Sequence, residues 1–423
     1  MGPARLVAAI CLFCTAIADL NLYRGAGNVQ SEKTFNSCFF WADNKNPSLL
    51  SLAQHWEHPI PSETLTMYLE RADSFESQFD LRTYDPEGVV FFGDADAGNS
   101  WFILALRNGR PEIQIMNKHC RVAVSSGGIL NDGTWRTIAV RSQKNQISLT
   151  VNGKIALLVI ILPSVGLDSS LIDMRIAIGG LLINQSSLLI PLKHPLDACI
   201  TNWNWLQQNT TWLVKKVASN PNLQCPTNIV PGSFFPGVGM AVFRCKDLLN
   251  ESETQMNWFL RFEAVIRPKK HSGVVMALLT GTHDPLVKLE FSLQDRHEQF
   301  KLDLGTTTLI SMAGPTRLCD GHRVSITISE SEVALQIGDQ HGAHSVAADD
   351  FVPLKTSWFS KDALLFLGGL PDVEKLGYGW HLFSGCMQDI RLQGEAVDFN
   401  QAWFKHDAIS SHSCPASKPF PSP

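Results

Sequence analysis

The chain has 423 residues, of which 44% are hydrophobic and 18% charged, and its net charge is −5 at pH 7. That length implies about two or three domains, and that composition favours packed cores over disorder. No basic run or stripe is present, which argues against a nucleic-acid partner.

Residues 1–18 read as a secretory signal peptide. Arg5 is the positive end, Leu6–Ala18 is a short apolar stretch, and Ala16-Ile17-Ala18 fits the small-x-small cleavage rule. A membrane span needs roughly 20 apolar residues; this stretch is too short, and no other segment is long enough. A secreted, extracellular glycoprotein is expected, with acceptor sequons at Asn184, Asn209 and Asn250. Cys11 and Cys14 leave with the signal. The cysteines that remain, at 38, 120, 199, 225, 245, 319, 386 and 414, form an even set, which in an oxidising compartment favours disulfides. Among those that remain, no CxxC spacing points to a metal.

Residues 19–60 show no clear period, and no structure is assigned to them. From Ser62 onward short alternating stretches are separated by Gly, Asp, Asn and Pro turns. Phe75, Phe79 and Leu81 alternate with Glu76, Gln78, Asp80 and Arg82, the period of a strand with one buried face. Ser77 lies on that apolar face. Ser100 likewise shares a face with Phe102, Leu104 and Leu106, and Asn117 with Ile113 and Ile115. A buried hydroxyl or amide without a partner costs about 1–3 kcal/mol. Three such groups aimed into one core must bond to each other, to water or to a ligand. Asp85-Pro86-Glu87-Gly88 has the residues of a type I turn.

Further along, Ile147, Leu149 and Val151 alternate with Ser148 and Thr150, and Met174, Ile176 and Ile178 with Arg175 and Ala177. No long segment of period 3.6 competes, so the fold class is all-β, built as antiparallel β-sandwiches. Residues Ile155 to Leu162, IALLVIIL, are apolar on both faces where a strand facing water should alternate. Either a loop covers the outer face or it is a subunit interface; a homodimer through the first domain is the expectation.

The pattern then repeats. Glu87-Gly88-Val89-Val90, Asp132-Gly133-Thr134-Trp135, Ile178-Gly179-Gly180-Leu181 and Leu196-Asp197-Ala198-Cys199 recur 185 to 189 residues later. Their counterparts are Ser272-Gly273-Val274-Val275, Asp320-Gly321-His322-Arg323, Leu367-Gly368-Gly369-Leu370 and Phe383-Ser384-Gly385-Cys386. Four landmarks in one order at near-constant offset indicate a duplicated domain, with bounds at 61–225 and 226–414 and a tail at 415–423. Each copy closes with a cysteine pair of similar spacing, which predicts bridges Cys199–Cys225 and Cys386–Cys414. Each would stabilise by roughly 3 kcal/mol in the loop-entropy account.

The DGTW and DGHR turns, the GGL strands and the FSGCMQDIRLQG ending resemble the laminin G-like domain family. RTYDPEGVVFFGD, WFILALRNGRPEIQIMN and MRIAIGGLL resemble its secreted, steroid-carrying branch, and the likeness covers residues 60 to 414, more loosely in the second copy. It implies two tandem jelly-roll sandwiches, the first holding a sex steroid, an androgen or estrogen, between its sheets. On that resemblance Ser77 anchors one end of the steroid, and Asn117 with Ser100 meets the far oxygen. Ser100 stands where the family has an aspartate. Phe102, Val140 and Met174 form apolar walls, and Ser142 replaces a frequent methionine. The resemblance also implies calcium on Asp85 and Glu87. The family's zinc histidines are replaced by Lys118 and Leu171, so no zinc is expected.

A steroid suits such a site on physical grounds. It is rigid, so binding costs little entropy. Nanomolar affinity needs about 12 kcal/mol, supplied mostly by apolar burial at roughly 25 cal/mol per Å². Each hydrogen bond adds about 1 kcal/mol net, and so selects and orients. The competing reading is an adhesion or receptor-ligand module acting on extracellular-matrix or cell-surface proteins. A carbohydrate-binding sandwich is a third, weaker reading. The histidines are scattered and no nucleophile motif such as GxSxG occurs, so an enzyme is not expected.

Overall fold

The computed structural model describes residues 49–52, 60–68, 74–95, 98–118, 120–143, 146–160, 171–193, 195–204, 225–248, 259–280, 285–294, 297–314, 320–359, 363–370 and 382–416. The first sandwich is made of β1 (Leu50–Ser51), β2 (Ser62–Tyr68), β3 (Ser74–Thr83), β4 (Gly88–Ala95), β5 (Ser100–Arg107), β6 (Arg110–Met116), β7 (Arg121–Ser125), β8 (Arg136–Gln143), β9 (Gln146–Val151), β10 (Lys154–Ile160), β11 (Leu171–Ile178) and β12 (Ala198–Asn204). One six-stranded sheet runs β1-β12-β3-β8-β9-β10 and the other β2-β11-β4-β5-β6-β7. All of their pairings are antiparallel.

Local chemistry explains the hairpins. Asn108-Gly109 joins β5 to β6, and Asn152-Gly153 joins β9 to β10, with φ of 50°, 74°, 49° and 76°. Two residues at positive φ give the turn whose twist matches the strands, and Asn-Gly adopts it at least cost. The inner faces meet in a core that includes Phe79, Leu81, Leu104, Ile138, Leu149 and Ile176. β4 is buried from Gly88 to Asp94 rather than alternating, because the outer face of its sheet is covered too. Val89, Phe92, Trp101 and Ile103 pack there against Leu181, Leu188 and Leu192 from the segment after β11.

The stretch 19–60, left without structure in the sequence reading, supplies one element: Leu50–Ser51 pairs with β12. Leu50 and Leu52 are fully buried. Two residues are too few to display a period. The rest of that stretch, apart from residues 49, 52 and 60, lies outside the described residues.

The second sandwich repeats the plan. Phe259–Pro268 is flanked by Ser384–Leu392 and His322–Ser329, as β3 is flanked by β12 and β8. Arg82 pairs with Cys199 and Arg267 with Cys386, which fixes the correspondence between the copies. A helix, Val352–Phe359, has no counterpart among the described residues of the first copy. The structure closes Cys199–Cys225 and Cys386–Cys414, each with Cα atoms 5.9 Å apart. Cys120 and Cys245 are free thiols, and burial pushes Cys245 up to about 12. Cys38 and Cys319 lie outside the described residues.

Candidate functional site

Strand register carries the expected ligand residues of both sheets onto the inner faces of the first sandwich. In one sheet Met174 stands opposite Ala95, and Ala95 opposite Ser100. Asn117 comes one step past the Trp101–Met116 pair, so the row continues Met174, Ala95, Ser100, Asn117. Two residues along runs the row Ile176, Gly93, Phe102, Ile115, Val122. Residues two apart on a strand share a face. Ile176 and Ile115 belong to the core between the sheets, so both rows point inward. In the facing sheet Ser77 pairs with Val140, and Val140 with Leu149.

Burial divides these residues into a floor and a mouth. Ser77 and Val140 are buried, at 4% and 3% exposure. Ser100, Phe102, Asn117 and Met174 are only partly buried although they face inward, and Val122 and Val124 share that condition. The interior therefore reaches solvent at this end. Phe102 packs edge-on against Phe91 with centroids 6.0 Å apart. Gly93, between Ile176 and Phe102 in its row, presents no side chain, which leaves space beside Met174 and Phe91. Asn117 Oδ1 accepts from Cys120 N–H at 2.6 Å, which fixes the plane of its amide. Ser142 is the next inward residue of β8 beyond Val140 and pairs with Phe75 and Ile147. It is 7% exposed. The arrangement is a pair of facing apolar walls that carry a few hydroxyl and amide groups.

Laminin G domain models match residues 81–211 and 266–395, together more than half of the chain. The chain belongs to the laminin G family. Sex hormone-binding globulin of Oryctolagus cuniculus is 31% identical over 357 residues, covering 84% of this chain and 85% of that relative. The Homo sapiens protein of that name is 30% identical over 84% of each chain. Growth arrest-specific protein 6 of Mus musculus is 30% identical over 80% of this chain, which spans about half, 52%, of that relative's length. The solved structure of mouse laminin alpha1 chain domains LG4-5 shares the fold, with a TM-score of 0.57 at 18% identity, covering 93% of this chain and 100% of that one.

Within this laminin G protein, Asp85 and Glu87 lie where the two domains meet. Asp85 is fully buried. Its Oδ1 accepts from Asn400 Nδ2 at 2.8 Å and Glu87 N–H at 3.0 Å, and its Oδ2 from Asp197 N–H at 2.9 Å. Asp197, also buried, accepts from His412 N–H at 2.7 Å and Ser413 N–H at 2.9 Å. The His412 ring lies 3.5 Å from Asp85 Oδ2 and 3.3 Å from Asp398 Oδ1. Burial alone would lower His412, but the carboxylates of Asp85, Asp398 and Asp197 outweigh it and push the imidazole up to about 10. Burial raises the Asp197 carboxyl. Arg82 adds a second tie, donating to the carbonyls of Pro226 and Thr227 at 2.7 and 2.8 Å.

Calcium takes six or more oxygen ligands. Here Asp85 is met by N–H donors and an imidazolium. Glu87 Oε1 accepts from Lys193 N–H at 3.0 Å and lies 3.6 Å from Arg107 Nη1. These carboxylates, as placed, do not fit a calcium shell. Among the described residues no group of three or more His, Cys, Asp or Glu could hold a metal. A cleft of about 390 Å³ opens at the junction between Tyr84, Pro86, Met387, Arg391 and His412, not between the sheets. Asp197 and His412 were missed in the sequence. The available signal was Asp197 standing where the repeat has Ser384.

β10 ends its sheet. Leu157 and Val159 face the core, while Ile155, Leu158 and Ile160 are exposed at 68%, 46% and 71%. Asn184 is exposed, and its Oδ1 accepts from Ser186 N–H at 2.9 Å. Asn209 and Asn250 lie outside the described residues.

Proposed function

We propose that this laminin G protein is a secreted carrier that holds a sex steroid between the sheets of its first domain, without catalysis. One observation carries the reading. Polar residues stand on inner faces that are otherwise apolar, and the row of Met174, Ser100 and Asn117 stays partly open to solvent. A hydrophobic core gains nothing from such residues; a flat hydrocarbon with an oxygen at each end needs them. Relatives named for sex-hormone binding, aligned over both domains, point the same way. Ser77 anchors one end of the ligand, Asn117 and Ser100 hold the other, and Phe102, Val140 and Met174 supply walls.

The test is equilibrium binding of labelled dihydrotestosterone to the full chain. Ser77→Ala should weaken binding roughly tenfold, as expected for one buried hydrogen bond, with an unchanged melting temperature. Unaltered affinity would remove the assignment. The same reading includes a homodimer. A strand that ends its sheet and carries three exposed aliphatic side chains is a template for pairing, and among the described residues β10 has that form. Sedimentation should give twice the chain mass for the parent and the monomer mass for Ile160→Lys.

A further inference from the structure

In the second domain Ser384 is 1% exposed, and its hydroxyl is buried without a hydrogen-bond partner among the described residues. Leaving such a group unmet lowers stability, which alanine at the same place would not. Its surroundings say what could meet it. Ser384 pairs with Pro236 at the end of the strand Ser233–Pro236, and Gly237 follows with φ of 93° and no side chain. A Cβ built there would lie 3.4 Å from Ser384 Oγ and 3.6 Å from Lys270 Nζ, so hydroxyl and ammonium border one small gap. Lys269 stands beside them, its backbone N–H donating to the Ser384 carbonyl at 2.7 Å. Burial and the neighbouring charge of Lys270 push the Lys269 ammonium below its ordinary value. Among the described residues neither ammonium has an ion pair or a hydrogen bond. The next residue, His271, has a carboxylate of its own, Glu298, at 2.5 Å. Two cations and a hydroxyl donor without an acceptor make a place for an anion, and a carboxylate can accept from all three.

The repeat says how such a place is used. Lys270 and Ser384 are the counterparts of Asp85 and Asp197. In the first copy that pair receives Asn400 and His412 from a segment of the neighbouring domain. The second copy presents the same end of the fold with its charge inverted. We propose that Ser384, Lys269 and Lys270 form a docking point for a carboxylate on an acidic segment of a partner protein. Lys270 is exposed; its side chain swings aside to uncover Ser384 Oγ and stays within reach of the incoming group. The proposal is independent of the carrier reading, which concerns the other sandwich.

The experiment follows fluorescein-labelled hexaglutamate on the full chain by anisotropy at low salt. The parent should bind it saturably. Lys270→Glu should weaken binding by at least about tenfold, through like-charge repulsion. Ser384→Ala should weaken it about tenfold, the effect of one hydrogen bond to a charged group. Lys246→Glu, at an exposed lysine elsewhere in the same domain, should change it by less than about twofold. Without peptide, Ser384→Ala should melt no lower than the parent; a lower melting temperature would show that the hydroxyl is already met and would overturn the inference. So would the absence of saturable binding, or an equal loss in Lys246→Glu, which marks attraction to charge in general. Dextran sulfate held through Lys270 and Ser384 more tightly than the peptide would give the place to a sulfated glycan and overturn the protein partner.

Discussion

The two sandwiches share strand order and hairpin register, yet their interiors are finished differently. With Arg82 and Cys199 aligned on Arg267 and Cys386, Ser77 and Val140 of the first copy correspond to Phe262 and Ile326 of the second. Phe102, opposite Gly93, corresponds to Val287 opposite Leu278, and Met174 to Ala363. Phe262, Ile326 and Ala363 are fully buried and Val287 nearly so. The second copy also sends Phe351, Leu354 and Trp358, from the helix and the turn before it, into its core. One duplicate is packed shut by its own side chains. The other carries a serine, a glycine and partly open residues at matching places. On the proposed function, the residues at a few inward positions decide whether this fold holds a ligand chamber or closes on itself.

The comparison breaks most visibly at Phe262. Phe262→Ala should cost the second domain about 3–5 kcal/mol, the usual price of deleting a buried aromatic ring, measured by urea unfolding. A loss under 1 kcal/mol would mean that this interior is looser than it looks, and the contrast between the copies would fail. The reciprocal change makes the first copy resemble the second. Ser77→Phe should place a ring in the chamber, abolish dihydrotestosterone binding by at least about 100-fold, equivalent to roughly 2.7 kcal/mol, and leave the melting temperature the same or higher. Retained binding would show that the ligand lies elsewhere.

Much of this was legible in the chain. Period-two alternation located β3, β5, β6, β9 and β11 and placed Ser77, Ser100 and Asn117 on inner faces, because one residue of shift would have turned every apolar side chain outward. The repeat gave both bridges. Three features were not legible. The apolar run of β4 hides its alternation because Leu181, Leu188 and Leu192 cover the outer face. In the helix Val352–Phe359 only Leu354 and Trp358, one turn apart, mark the inward face, while Val352 is exposed, too short a stripe to show a period of 3.6. The bond from His412 to Asp197 joins residues 215 apart, a separation no local pattern reports.

The ends of the two sandwiches differ as well, by charge. Asp85 and Asp197 of the first copy correspond to Lys270 and Ser384 of the second, so only the first offers carboxylates to a cation from its neighbour. His412 supplies that cation, facing Asp85 and Asp398 with Asp197 beside them. A histidine raised from its ordinary value of about 6.5 to about 10 stabilises the folded junction fully below the lower value, and the contribution is lost as pH rises through the higher one. Asp197, raised by burial, works in the same direction. Asp398, held low by His412 despite its burial, loses its contribution only in acid. His412→Gln should therefore melt roughly 5 °C below the parent at pH 7, a shift of the size expected for one or two kcal/mol in domains of this length. That gap should close as pH is raised toward 10, and millimolar calcium should leave the parent's melting temperature unmoved. A gap that stays constant across that range would show that His412 acts through packing and not through its charge. A calcium-dependent rise in the parent would show that the metal displaces the imidazolium and its N–H companions, and that the duplicate's acidic end was built for an ion from outside the chain.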